Sequence, residues 1–262
     1  MGMLNIKMHF ISFNSYRRGL LLLPLMLTLI MTSCGKGNAF DLFQSTGPMV
    51  RKQRETTGYF NKISLNDDIN LMLTQGYPTM IEVEGGNNLL SDITTEISNS
   101  TLTIRNLNKY NWVRSYDKKI TVYLQVSHLS MIRYESSGNI TTTDTIHEDS
   151  LHVEAWAGSG TIAMALDCGT IWLIQQYGSM DFDVCGKSSV TYIYAGSYGA
   201  FHCLGLKSYN TFIRNDGTND CYVNAIERID ADIRSLGNIY YSGRPVEANR
   251  VGSGSGKLIH LE

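Results

Sequence analysis

The sequence predicts an all-β protein built as a parallel β-solenoid with coils of about 20 residues. Three observations favour this class. Apolar and polar residues alternate with the period of two that half-buried strands show, and glycine returns at nearly constant intervals through the C-terminal half. The composition also combines 24 glycines with only 4 prolines. Proline is scarce in paired strands because it cannot donate a ladder hydrogen bond.

Charge and hydrophobicity exclude other classes of protein. The formal net charge is −2 at pH 7, so the chain lacks the basic surface that binds the phosphates of nucleic acids. With 43% hydrophobic residues, it is too apolar to be intrinsically disordered. We therefore expect a folded protein with no nucleic-acid partner.

The N-terminal residues have the pattern of an export signal. Basic residues precede an uncharged apolar run over residues 19–31, which is shorter than the roughly 20 residues that span a bilayer. Small residues then lead into Cys34 and resemble the lipobox of bacterial lipoproteins, whose cysteine sulfur receives a diacylglycerol. We interpret residues 1–33 as a lipoprotein signal peptide and Cys34 as the lipidation site. The alternative is a plain secretory signal with an incidental cysteine.

The lipid would attach the protein to a membrane of the bacterial cell envelope, and we expect the outer membrane. Residues 34–57 are polar and aperiodic, so they are interpreted as a tether. The folded domain is then expected over residues 58–262. Both the periplasmic and the cell-surface side of the membrane remain open.

A glycine motif recurs seven times in the C-terminal half at intervals of 18 to 22 residues. Two residues after the glycine, six of the seven copies carry an apolar residue. Equivalent positions of successive coils stack about 4.8 Å apart in a parallel solenoid, so we expect this column to point into the core. Asn219 is the exception and is expected to be a buried asparagine. The glycines themselves are Gly138, Gly160, Gly178, Gly199, Gly217, Gly237 and Gly256.

Four stretches keep a defined order along the chain: residues 58–63, 69–76, 120–124 and 252–258. In that order they resemble a family of bacterial envelope proteins, the putative auto-transporter adhesin, head GIN domain family. The resemblance covers residues 58–262. It implies a right-handed β-helix-like fold and a role in adhesion, and it brings no catalytic residues.

Four cysteines besides Cys34 lie in the repeat region. Cys203 and Cys221 each follow their glycine by four residues, and Cys168 and Cys185 follow theirs by eight and seven. Neighbouring coils bring Cα atoms within disulfide range, and exported proteins fold in an oxidising compartment. We therefore consider two disulfides, Cys168–Cys185 and Cys203–Cys221, with small buried free thiols as the alternative.

One polar column is a candidate for chemistry. Asp181, His202 and Asp220 each follow a glycine by three residues on consecutive coils. Two carboxylates flanking an imidazole can bind a divalent metal or catalyse proton transfer. The alternative, which we favour, is a solvent-facing ladder of alternating charge. We accordingly expect no catalytic residue, metal or cofactor.

Aromatic residues crowd the same coils. Outward-facing tyrosine and tryptophan would give amphipathic contact area for a glycan or a protein, although both types also favour strands. The members are Tyr177, Tyr192, Tyr194, Tyr198, Tyr209, Tyr222, Tyr240, Tyr241, Trp156 and Trp172.

These features together favour a lipid-anchored, non-catalytic binding or adhesion module with a glycan or protein ligand. Stacked coils suit this role because they present an extended face. Two alternatives remain. One is a polysaccharide-acting β-helix enzyme that uses Asp181, His202 and Asp220, and the other is a structural partner of another envelope protein.

Overall fold

The computed structural model describes residues 46–108 and 119–262. The signal peptide over residues 1–33, the lipidation site Cys34 and the first part of the tether lie outside the described residues. Among the described residues, no helix is long and apolar enough to cross a membrane.

The described residues form strands and one short 3-10 turn at Leu90–Asp92. The predicted all-β solenoid is confirmed, with about six turns and coils of about 20 residues. The strands are β1 (Met49–Arg54), β2 (Lys62–Asp67), β3 (Asn70–Gln75), β4 (Met80–Gly86), β5 (Ile93–Ser98), β6 (Thr101–Asn106), β7 (Thr121–Val126), β8 (Met131–Ser136), β9 (Ile140–Gly158), β10 (Thr161–Gln175), β11 (Asp181–Ala195), β12 (Phe201–Asn215), β13 (Cys221–Ile233), β14 (Ile239–Ser242), β15 (Glu247–Val251) and β16 (Leu258–His260).

Each long strand from β9 to β13 contributes to two layers. The pairing of β10 with β11 skips Gly169 and Ser189, where the strands turn from one layer to the other. We call the layer of the first halves layer A; it also contains β1, β3, β4, β7, β14 and β16. Layer B holds the second halves with β2, β5, β6, β8 and β15.

The core lies between the two layers and is built from stacked columns. The inward column of layer A includes Phe182 and Phe201, whose ring centroids lie 4.6 Å apart. Its eight members in register are Leu71, Ile140, Ile162, Phe182, Phe201, Cys221, Ile239 and Leu258. In-register stacking of apolar side chains removes them from water along the column, except at its C-terminal end, where Leu258 is half-buried.

The register corrects the expected column at two coils. Phe182 and Cys221 occupy the positions that the glycine spacing gave to Met180 and Asn219. Met180 is buried beside the column, whereas Asn219 is exposed, which is contrary to the expectation of a buried asparagine. The reason is turn length, because the turns after Gly178 and Gly217 contain two more residues than those after the other glycines.

The N-terminal part departs from a simple parallel coil. The pairs β1–β4, β4–β7 and β5–β6 are antiparallel, and β3 lies between β7 and β9 in layer A. Alternation of apolar and polar residues is the same in parallel and antiparallel strands, so the sequence pattern could not separate the two arrangements.

The folded unit also starts earlier than the expected boundary at residue 58. All six residues of β1 pair with β4, from Met49 opposite Gly86 to Arg54 opposite Ile81. Arg51 donates to Glu84 from Nε at 2.9 Å and from Nη2 at 2.7 Å. Its guanidinium also lies 3.6 Å from the centre of the Tyr123 ring. The second half of the expected tether is therefore part of layer A.

A candidate binding groove on layer B

An aromatic ladder runs along the outward side of layer B. His152, Trp172, Tyr192 and Phe212 lie opposite one another on β9 to β12. Successive ring centroids are 3.9, 5.4 and 5.2 Å apart, and the ring planes are within 17° of parallel. The coil spacing of about 4.8 Å explains this stack, because it lies within the range of separations at which offset aromatic rings pack.

A second outward column lies two residues further along each strand and contains Ile174, Tyr194 and Arg214. Except for His152, the two columns line one groove of about 360 Å³, with Asp230, Asp232 and Val251 at the end nearest β15. The groove lining is predominantly apolar. Because strands carry both columns, the groove has the rigid backbone on which a preformed binding site depends.

Ion pairs surround the β15 end of the groove. Arg214 donates from Nε and Nη2 to the two oxygens of Asp216, at 2.8 and 2.6 Å. These hydrogen bonds hold the pKa of Asp216 below its usual value. Arg228 donates to Asp230 at 2.9 Å and likewise lowers the pKa of that carboxyl group. The guanidinium groups are thus already engaged by carboxylates, so this end is not a free anion site.

The outward side of layer A carries a shorter aromatic ladder of His202, Tyr222 and Tyr240. The ring centroids are 5.9 and 4.9 Å apart. This ladder matches the chemistry of the layer B ladder on the opposite face, which makes it a natural internal control for experiments on the groove.

The predicted polar column is not assembled. His202 lies opposite Asp183 and Tyr222, rather than opposite Asp181 and Asp220. The cause is again the variable length of the turns after the glycines. These three side chains therefore do not form the arrangement of two carboxylates around an imidazole that could bind a metal or catalyse proton transfer. More broadly, the described residues contain no group of three or more His, Cys, Asp or Glu side chains suited to a metal ion.

Asp181 and Asp220 have a structural role at the corner of the solenoid. Asp181 Oδ1 accepts a hydrogen bond from the Ala200 amide at 2.8 Å, and Asp220 Oδ1 accepts one from the Asn238 amide at 2.7 Å. Asparagines at the same position of other coils also accept a backbone hydrogen bond through Oδ1. Asn70 accepts from the Asn139 amide at 2.8 Å, Asn139 from the Thr161 amide at 3.0 Å, and Asn238 from the Lys257 amide at 2.9 Å. We call this series the corner ladder.

The four cysteines are free thiols in the structure. Cys168 is buried opposite Ser188, whereas Cys185 is exposed opposite Ala165. Cys203 lies opposite Val223, and Cys221 lies opposite Phe201. Neither of the two considered disulfide pairs is therefore in register.

The layer B groove was not identified from the sequence, although several of its aromatic residues were named. The sequence does contain a regular spacing that marks the ladder: an aromatic residue recurs every 20 residues, at His152, Trp172, Tyr192 and Phe212. Aligning the coils on the glycines obscured it, since the turns vary in length while equivalent positions of layer B stay 20 residues apart from β9 to β12.

The described residues thus define a repeat protein of the β-solenoid class with an outward aromatic groove. The sequence matches the family model "Putative auto-transporter adhesin, head GIN domain" over residues 59–245, and the chain belongs to that family. Membership of an adhesin-like family indicates a protein of the cell surface or envelope. No curated protein matches the sequence.

Solved structures share the fold. A putative adhesin from Bacteroides fragilis NCTC 9343 is 20% identical with a TM-score of 0.73, covering 82% of this chain and 97% of its own. A putative adhesin from Parabacteroides merdae ATCC 43184 is 17% identical with a TM-score of 0.60, covering 82% and 98%. A structure from Parabacteroides distasonis ATCC 8503, described as a putative lipid binding protein, is 15% identical with a TM-score of 0.62, covering 83% and 98%.

Proposed function

We propose that this protein is a lipid-anchored, non-catalytic binding or adhesion module of the bacterial envelope, and that its ligand binds in the layer B groove. The observation that carries the proposal is the groove itself. It combines stacked aromatic side chains with half-exposed aliphatic surface on paired strands. Tyrosine, tryptophan and arginine are the residues that most often dominate binding energy at interfaces. Membership of an adhesin-like family supports the same role.

The enzymatic alternative depended on Asp181, His202 and Asp220 lying side by side, and they do not. Asp181 and Asp220 accept backbone hydrogen bonds at the corner, and His202 stacks on Tyr222 instead of lying between them. Polysaccharide hydrolysis needs a pair of carboxyl groups on either side of the scissile bond. The carboxylates at the groove, Asp230 and Asp232, are each paired with an arginine, which favours a structural role for both.

The membrane attachment rests on Cys34. Two or more acyl chains hold a protein stably on a membrane, whereas one chain binds marginally. Replacement Cys34→Ala is therefore expected to move the protein from the membrane fraction to the soluble fraction of cells. Equal membrane recovery of the variant and the wild type would contradict the lipid anchor without affecting the groove.

Binding through the groove is tested on arrays of glycans and of purified surface proteins. The Ile174→Thr variant removes apolar surface from the groove floor but keeps a β-branched residue in the strand. It is expected to lose most of the binding that the wild type shows. The matched control is Tyr240→Thr, on the ladder of layer A, which is expected to bind as the wild type does. Unchanged binding by Ile174→Thr would contradict the proposed site.

A further inference from the structure

The faces of the aromatic rings around the groove are already occupied. Tyr192 stacks between Trp172 and Phe212, and Trp172 stacks on His152 at 3.9 Å. The Arg214 guanidinium lies over Tyr194 at 5.5 Å, and the Arg228 guanidinium lies over Phe212 at 5.9 Å. A sugar ring packs its C–H groups against the electron-rich face of an aromatic ring. These rings present mainly their edges to a ligand, which disfavours a glycan.

The groove is open along its length, which disfavours an acyl chain. Burying one methylene group contributes about 0.8 kcal/mol only when water is excluded all around it. A chain lying in an open groove would leave its outer side in water. The suitable ligand therefore has one apolar side and one polar side.

An extended polypeptide has this two-sided character. Alternate side chains of a strand point in opposite directions, so one set can enter the groove while the other faces water. From Trp172 to Val251 the lining spans five coils, and four steps of about 4.8 Å give about 19 Å. At about 3.3 Å per residue, this length accommodates about six extended residues.

Charge at the β15 end adds a preference within that class. Three arginines there are paired with four carboxylates, and Arg228 contacts two of them. The arginines are Arg214, Arg228 and Arg234, and the carboxylates are Asp216, Asp230, Asp232 and Glu247. Asp232 lines the groove and accepts a hydrogen bond from Arg234 through Oδ2. Within the described residues, its Oδ1 has no hydrogen bond. A cationic group of a ligand is the natural partner for this oxygen.

We infer that the layer B groove binds an extended segment of a protein, with apolar side chains at alternate positions and a lysine or arginine near Asp232. The inference rests on the proposed function, because it names the ligand class of that same groove. Electrostatic complementarity contributes specificity for the direction of the segment, while the apolar contacts supply most of the affinity.

The test uses displayed random peptides of about a dozen residues, selected on the full chain. Peptides that share alternate apolar residues and one basic residue are expected to be enriched. Their affinity is expected to fall about tenfold or more in Ile174→Thr, as for loss of a well-packed apolar contact at an interface, and to stay unchanged in Tyr222→Thr on layer A. Asp232→Asn is expected to abolish the preference for a basic residue.

Three results would overturn the inference. The first is a selection that yields no peptide whose binding depends on Ile174. The second is a glycan on the arrays described above that binds the wild type and no longer binds Ile174→Thr. That result would leave the proposed function intact. The third is a dimer of the wild-type chain that the Ile174→Thr variant dissociates, because the groove would then hold a second copy. Absence of any groove-dependent binding partner would overturn the proposed function as well.

Discussion

At the scale of single residues, polar side chains mark the corners of the solenoid and apolar ones fill its interior. The corner ladder shows why Asp and Asn recur just before the strands of layer A. A carboxylate or amide oxygen there satisfies the amide of the next coil, which the turn leaves without a strand partner. Buried or half-buried amides need such acceptors because an unpaired amide costs about 1–3 kcal/mol.

The corner ladder predicts the effect of two substitutions at Asp220. Asp220→Ala removes the acceptor of the Asn238 amide and is expected to lower the free energy of unfolding by about 1 kcal/mol. Asp220→Asn keeps an Oδ1 acceptor and is the matched control, with an expected loss under about 0.5 kcal/mol. Urea unfolding monitored by tryptophan fluorescence measures both. Equal stability of the alanine variant and the wild type would contradict the role of this oxygen.

The thiols differ sharply in their expected reactivity. Burial raises the pKa of Cys168 to about 11 and that of Cys221 to about 12, and it raises the pKa of Cys203 as well. The thiolate is the reactive form, so these three cysteines should resist labelling in the folded protein, while the exposed Cys185 reacts. Maleimide labelling followed by peptide mass spectrometry checks this. Recovery of disulfide-linked peptides under non-reducing conditions would contradict it.

At the scale of the coil, glycine sets the turns and the strands set the register. Gly158 has a φ of +120°, and a Cβ there would lie 1.8 Å from the carbonyl oxygen of Ser136 on the preceding coil. Two constraints therefore coincide, namely a backbone conformation that other residues avoid and the close approach of a neighbouring coil.

A pair of alanine substitutions separates the two constraints. Gly158→Ala is expected to cost about 3 kcal/mol or more, because backbone strain of about 1–3 kcal/mol adds to the clash. Gly58→Ala, with a φ of +114° and its nearest Cβ contact at 3.6 Å, is expected to incur the strain alone. Urea unfolding of both variants measures the difference. A loss at Gly158 no larger than that at Gly58 would show that coil spacing does not constrain this turn.

At the scale of the whole sequence, alternation and glycine spacing were enough to predict the solenoid and its coil length. Both are direct consequences of strand geometry and of repeated corners. The register was predicted less well, since the two longer turns after Gly178 and Gly217 displaced the residues that follow them. This displacement produced the incorrect polar column, and it also concealed the 20-residue ladder of layer B.

The strand pairing of the N-terminal part could not be predicted from the sequence pattern, for a different reason. Strands β1, β4 and β5 pair in antiparallel fashion, and no repeat marks them. The choice between neighbours there depends on long-range side-chain packing, such as Arg51 against Tyr123 and Glu84. Local alternation carries no information about that choice.

The central claim is that the groove of layer B, and not the equivalent ladder of layer A, is the binding surface of the molecule. It is tested most directly by the dissociation constants of Tyr192→Thr and Tyr222→Thr for the array ligands that bind the wild-type protein. Both substitutions remove one ring from an outward ladder. The predicted result is a loss of about tenfold or more for Tyr192→Thr, with Tyr222→Thr within about twofold of wild type. Equal affinities of the two variants would contradict the claim.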